Sequence, residues 1–167
     1  MDRISLLKPK LSDEDVEKIL KNESTWLMGL VSPRNFRIDG FRDVYTPYLL
    51  TGVCYYRKPN QRRRCYVFNN LELGLKSGVV SIDNLEFLEA FAPYGLDPID
   101  IDEEAHHAEI AHYCNFDLLV KNYRKYIDWN IEILEIKKMY RLKRVVNYTV
   151  NGRAKNKSIF LDSMILK

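Results

Sequence analysis

The sequence predicts an α+β protein of two tandem units, each a helix followed by an antiparallel meander, packed together on a shared core. Three observations point there. Two β-rich stretches, Val44 to Leu73 and Met139 to Leu166, each read as strands folded back on each other. Each half opens with an acidic helix start, Ser12-Asp13-Glu14 in the first and Asp102-Glu103-Glu104 in the second. The order helix, strand, strand, strand recurs, and two weak units that stack to share a core are the usual meaning of such a repeat. The units are placed at 1–92 and 93–167, with Pro93 to Pro98 as linker.

Composition bounds the possibilities. A chain of 167 residues that is 46% apolar can bury a core, so wholesale disorder is excluded. A formal charge of +3 does not by itself call for nucleic acid or an anionic membrane. Three cysteines, Cys54, Cys65 and Cys114, are an odd count and too few for a secreted disulfide scaffold. The N-terminal stretch lacks the apolar run of a signal peptide, and no window approaches the roughly 18 apolar residues of a membrane span. A cytoplasmic location with reduced thiols is expected.

The elements follow in order. Ser12 is a good N-cap, because its hydroxyl can accept from a free amide of the first turn, and Asp13 to Asp15 suit the positive end of the helix dipole. Val16, Ile19, Leu20, Trp26, Leu27 and Leu30 supply an apolar stripe up to Ser32-Pro33, where proline disfavours helical geometry in the residue before it. Phe36 to Tyr45 reads as a strand bent at Asp39-Gly40. Pro47 has no amide hydrogen to donate and marks an edge position or a strand start. Leu49 to Tyr56 and Arg64 to Phe68 are hairpin arms around Lys58-Pro59-Asn60-Gln61. A turn centred on Pro59-Asn60 sets Cys54 opposite Cys65, and a three-residue loop shifts that pairing by one. The first option puts Val53, Tyr55, Tyr66 and Phe68 on one face. Asn69-Asn70 and Lys76-Ser77-Gly78 read as turns, and Ile82 to Ala92 as a strand or short helix. The second half gives a helix from Asp102 with Ile110, Ala111, Cys114, Leu118 and Leu119 inward, extended by Tyr123 and Tyr126. A strand from Asn130 to Tyr140 follows, then a hairpin from Arg144 through Asn151-Gly152 to Ile165.

A spacing of about 95 matches Phe36 with Ile131, Ile38 with Ile133, Phe41 with Ile136, Val44 with Met139 and Tyr45 with Tyr140. Beyond a shorter second loop, Val67 meets Ile159, Phe68 meets Phe160 and Asn70 meets Asp162. An acidic helix start followed by a meander whose hairpin ends in Tyr66, Val67, Asn70 and Gly74 resembles PepSY-like or half-cystatin modules. The second copy offers Ile159 and Asp162 but lacks the glycine. That resemblance implies a non-catalytic module. Many such modules are extracytoplasmic, and some are propeptide-like inhibitors.

For function, the informative run is the hairpin end: Arg57, Lys58, Arg62, Arg63 and Arg64 flanked by Tyr55, Tyr56 and Tyr66. One reading is a non-enzymatic module whose protein partner, or second copy, meets the Val53, Tyr55, Tyr66 and Phe68 face and the basic tip. The alternative is a nucleic-acid-binding finger over 55–66, in which guanidiniums bind phosphate and tyrosines stack on bases. A third reading is a metal-dependent enzyme with ligands on helix 102–126, where Glu104 and His107 share a helical face beside His106 and His112. That spacing needs further ligands on a facing helix, and the first helix has no histidine. No nucleophile elbow, P-loop or dinucleotide fingerprint is present, so no catalytic residue and no cofactor is expected. Cys54 and Cys65 as a redox pair is weaker than two small buried thiols.

Overall fold

The computed structural model describes residues 2–24, 35–79 and 81–162. Within them the chain is an α+β protein with a mixed sheet of seven strands. The elements are β1 (Arg3–Leu7), α1 (Asp13–Glu23), β2 (Phe36–Tyr56), β3 (Arg63–Asn70), β4 (Lys76–Val79), β5 (Phe87–Phe91), α2 (Glu103–Tyr113), α3 (Leu119–Tyr123), β6 (Asn130–Val150) and β7 (Arg153–Phe160). A 3-10 turn, Pro59–Gln61, closes the β2–β3 hairpin, and a π-turn, Cys114–Leu118, joins α2 to α3. The strand order is β4-β3-β2-β6-β1-β5, with β7 also paired to β6. Leu6 of β1 runs parallel beside Tyr140 of β6, and the other pairings are antiparallel.

The centre of the sheet is the β2–β6 pair. Each strand is 21 residues long, and they lie antiparallel from Phe36 beside Val150 to Tyr56 beside Asn130. The bend expected at Asp39-Gly40 is a bulge at Asp39, and β6 has its own at Leu134. An extra residue sharpens the local twist and lets so long a ribbon coil around its core. Pro47 is neither at an edge nor at a strand start, because it sits inside β2 beside Tyr140. It is tolerated because its carbonyl accepts from Leu71, just beyond the end of β3, so its nitrogen faces the same side, where no ladder partner waits.

The β2–β3 register follows the shifted option: Val53 pairs with Cys65, Cys54 with Arg64 and Tyr55 with Arg63. A slip of one residue exchanges faces along a whole strand. Val53 and Tyr55 therefore share a face with Cys65 and Val67, while Tyr66 and Phe68 lie on the other with Leu50. The face expected to carry Val53, Tyr55, Tyr66 and Phe68 together does not form.

One side of the sheet is covered by helices. The Ser12 hydroxyl accepts from Asp15 N–H at 3.2 Å and the Asp15 carboxylate accepts from Ser12 N–H at 3.0 Å, a reciprocal cap. The bonds that the carboxylate accepts from the Ser12 amide and the Ser12 hydroxyl hold it below its ordinary range. α1 ends at Glu23, and the expected continuation through Trp26, Leu27, Leu30 and Ser32-Pro33 lies outside the described residues. Its buried Val16 and Leu20 pack on Val146, Tyr148 and Val150 of β6, with Phe36, Ile38 and Ile159 around them. α2 begins at an Asp102 cap and leads into Cys114 and Leu119, which pack with Ile110 on Val53, Cys65 and Val67. Each fully buried aliphatic side chain of this kind contributes about 1.5–3 kcal/mol. Between the helices, Leu96 and Ile99 of the linker lie over Ile4, Leu6 and Tyr140. On the opposite side, Ile82, Leu85 and Phe87 cover Tyr48, Leu50, Phe68 and Met139.

Two strands had no counterpart in the sequence reading, β1 and β4. Lys76-Ser77-Gly78 is not a turn but lies in β4, where the glycine has a steric reason. A Cβ on Gly78 would lie 2.3 Å from a methyl of Leu118. Asn70 does open a turn, its side-chain oxygen accepting from the amides of Glu72 and Leu73. Ile165, the expected end of the second hairpin, lies outside the described residues.

Candidate functional site

The β2–β3 hairpin turns through residues 57–62, beyond the last β2–β6 pair at Tyr56 and Asn130, and residues 57–64 hold five cations and no acid. Alternation distributes them. Arg63 pairs with Tyr55 and donates to the Tyr123 hydroxyl at 3.0 Å, on the helix side. Arg62 donates to Glu132 at 2.9 Å, and its guanidinium lies 4.8 Å over the Tyr56 ring. Tyr56 donates to the same carboxylate at 2.6 Å, which raises its phenol pKa. Arg64 pairs with Cys54 on the side away from the helices. Arg57, Lys58 and Arg64 are exposed, and among the described residues no carboxylate pairs with them. The tip therefore presents cations on both faces of a narrow ribbon, two braced and three open to an anion.

A second segment meets the tip from the other half of the chain. Tyr123, Trp129 and Tyr55 pack ring on ring, with centroids 4.9 Å (Tyr123–Trp129) and 5.3 Å (Tyr55–Trp129) apart. The Tyr55 and Tyr123 hydroxyls are 3.4 Å apart, and burial followed by that contact pushes the Tyr55 phenol up. Lys121, Arg124 and Lys125 are exposed on either side of Tyr123. Three residues beyond it, Tyr126 stacks on Phe116 at 5.6 Å, and Phe116 stacks on His112 at 4.6 Å. Phe116 and Tyr126 are 52% and 57% exposed, so this ladder of rings faces solvent. The sequence reading had assigned Tyr123 and Tyr126 to the apolar side of a helix. The alternation Lys121-Asn122-Tyr123-Arg124-Lys125-Tyr126 was the signal available for a basic and aromatic surface.

The other candidates are placed as follows. Tyr66 packs with Phe68 and Val79 on the face opposite Tyr55, and Val53 and Phe68 are fully buried. Cys54 does not face Cys65; Cys65 lies instead in the α2 core with Cys114, and all three thiols are free. The hydrogen bond to Cys65, then burial, pushes the Cys114 thiol up and keeps it protonated. The histidines diverge. His106 is buried with its ring 2.8 Å from the Thr51 hydroxyl, His107 is exposed, and His112 belongs to the ladder. Burial lowers the His106 pKa. Among the described residues, no three His, Cys, Asp or Glu side chains cluster closely enough to hold a metal ion.

Comparison with protein-family models, with curated proteins and with solved structures finds no significant match to this chain. Among the described residues, no helix is long and apolar enough to cross a membrane.

Proposed function

We propose that the protein is a non-enzymatic binding module and that its ligand is a nucleic acid held at the basic end of the β2–β3 hairpin. The observation that carries this is the set of exposed, unpaired cations Arg57, Lys58 and Arg64 spread over the tip of one ribbon. A flat protein interface uses one face of a hairpin. A tip that carries cations on both faces can meet phosphates on either side. Of the residues expected to form a protein-binding sheet face, Val53 and Phe68 are fully buried and Tyr55 and Tyr66 are half-buried on opposite faces. An acidic protein partner or a second copy at the same tip is the competing reading.

Salt titration separates them. Each phosphate contact adds about −0.9 to the slope of log K against log salt on duplex DNA and about −0.7 on a single strand. Arg57→Ala, Lys58→Ala and Arg64→Ala together should therefore flatten the slope by about 2 to 3. An unchanged slope, or a lysate partner that survives nuclease treatment, defeats the nucleic-acid reading. Tyr55→Ala is a poor probe of either, because the ring is part of the packing beneath the tip.

The architecture is further read as an internal duplication. The two long strands are equal in length, as are β3 and β7, at 8 residues each. The bulges at Asp39 and Leu134 keep the spacing that relates Phe36 to Ile131. Both helices have 11 residues, and their buried pairs, Val16 and Leu20 against His106 and Ile110, fall at matching positions. His106 meets Thr51 where Val16 packs in the cluster of Val146, the residue equivalent to Thr51. Within the hairpins the register equates Phe68 with Ser158 rather than Phe160, because Leu50 pairs with Phe68 and its equivalent Val145 with Ser158.

A further inference from the structure

We infer that the ligand is single-stranded and that its bases stack on the exposed ladder Tyr126–Phe116–His112. This rests on the nucleic-acid reading and specifies the same site. The tip and the ladder are two ends of one surface. Tyr123 accepts the Arg63 hydrogen bond at the hairpin, and Tyr126, three residues on, lies over Phe116. Arg124 and Lys125 stand exposed between these two rings. The far side of the loop is pinned beside Phe116, because the Trp129 amide donates to the Asn115 side chain at 3.2 Å. A strand that leaves the hairpin therefore meets cations and then stacked rings in succession.

That succession is the chemistry of single-strand binding, in which a basic track holds the backbone and aromatic faces receive the bases. A duplex keeps its base faces stacked on each other and has none to offer, so the ladder adds affinity for unpaired bases alone. Phe116 and Tyr126 are tilted by only 31° from one another, as are His112 and Phe116, so the rings continue a base stack. Beyond His112 the ladder opens on a recess of about 410 Å³ between α2 and the Gly74–Lys76 segment. Lys76, Glu109 and Asp117 line it, and Lys76 pairs with Glu109 at 3.4 Å. The Asp117 carboxylate can accept from the exocyclic amine of a base that enters the recess. The cation side is complementary: Lys121, Arg124 and Lys125 lie within five residues with no acid among them.

The test compares one oligonucleotide sequence as single strand, as duplex and as an abasic single strand, by fluorescence anisotropy with the full chain. The intact single strand should bind about tenfold or more tightly than either of the others, since one stacked base corresponds to a factor of roughly ten. Tyr126→Ala and Phe116→Ala should each remove that preference while leaving duplex and abasic binding unchanged, and Tyr126→Phe should restore it. Equal binding of all three forms overturns the stacking inference and leaves the nucleic-acid reading intact. Absence of binding by all three overturns both. The abasic arm uses the unmodified protein, so it decides the matter even if a ladder variant fails to fold.

Discussion

Asp162→Ala should cost this protein more than any surface charge change. Arg141 projects from β6 into the face covered by the 82–87 segment, and its Nε and Nη2 each donate to Asp162 at 2.9 Å. Both side chains are 2% exposed. The guanidinium also lies 3.9 Å over the Phe160 ring and 5.3 Å from that of Tyr48. An exposed pair of this kind contributes about 0–1 kcal/mol. Here the two charges are out of water, so removing the carboxylate takes the bidentate acceptor from a buried cation, at a cost of about 3–5 kcal/mol. For a chain of this size that lowers Tm by about 6–20 °C. The cost of the single change does not equal the worth of the pair. Replacing both partners with apolar residues of similar volume, Arg141→Met with Asp162→Leu, should recover most of the loss, because neither desolvated charge remains. Urea denaturation at neutral pH of the unmodified chain, Asp162→Ala, the singles Arg141→Met and Asp162→Leu, and their double variant measures both quantities. A loss under about 1 kcal/mol for Asp162→Ala, or a double variant as unstable as the two singles summed, would refute the reasoning.

Three further outcomes follow from single contacts. Burial holds His106 neutral and its pKa below the ordinary 6.5, so below that pH the unfolded chain takes up a proton that the native one refuses. Stability should fall as pH drops from about 6.5 toward the folded value. Glu109 opposes the shift while His107 and Lys76 reinforce it. His106→Val with Thr51→Val should fold and lose this dependence, as denaturation at pH 5 and 7.5 would show. Gly78→Ala should destabilise by about 1–3 kcal/mol through overpacking against Leu118, and Leu118→Ala in the same chain should relieve the clash. Ser12→Ala should cost about 1 kcal/mol by uncapping α1, whereas Ser12→Asn should be nearly silent in a thermal melt.

What the sequence made legible was whatever local chemistry decides. Ser12 and Asp102 cap where their side chains accept from backbone amides, and Asn151 and Gly152 turn because both adopt positive φ. The bulge at Asp39 showed as an interruption of alternation. What stayed hidden depends on distant partners. β4 reads as a turn because its glycine answers to Leu118, some 40 residues away, and not to the local backbone. The basic run 57–64 was plain in the sequence, but which tyrosines share its faces turned on a one-residue register. The exposed ladder was obscured by the π-turn at Cys114–Leu118. A turn with an added residue rotates everything after it around the helix axis, so a 3.6-residue stripe cannot be extended through it.

Each helix reaches across to the other half's hairpin, and this makes the basic end a joint product of both. α1 precedes the first hairpin in the chain but packs on the second, against Val146, Tyr148 and Val150. α2 precedes the second and packs on Val53, Cys65 and Val67 of the first, with Ile131 and Ile133 of β6 beside them. The tip is braced by Tyr123, Trp129 and Glu132, all from the later half. Residues 1–92 alone would therefore expose Val53 and Val67, which are at 0% exposure in the intact chain, and would lose the braces that Tyr123, Trp129 and Glu132 supply to the tip. At about 25 cal/mol per Å² of apolar surface, wetting both cores removes stabilisation of the same size as a domain's whole net stability. Fragments 1–92 and 93–167 should each lack cooperative unfolding, yet purify together and regain it when co-expressed. A lone fragment that melts cooperatively and keeps dispersed amide resonances would show that its helix folds back on its own hairpin, contrary to the packing seen in the intact chain.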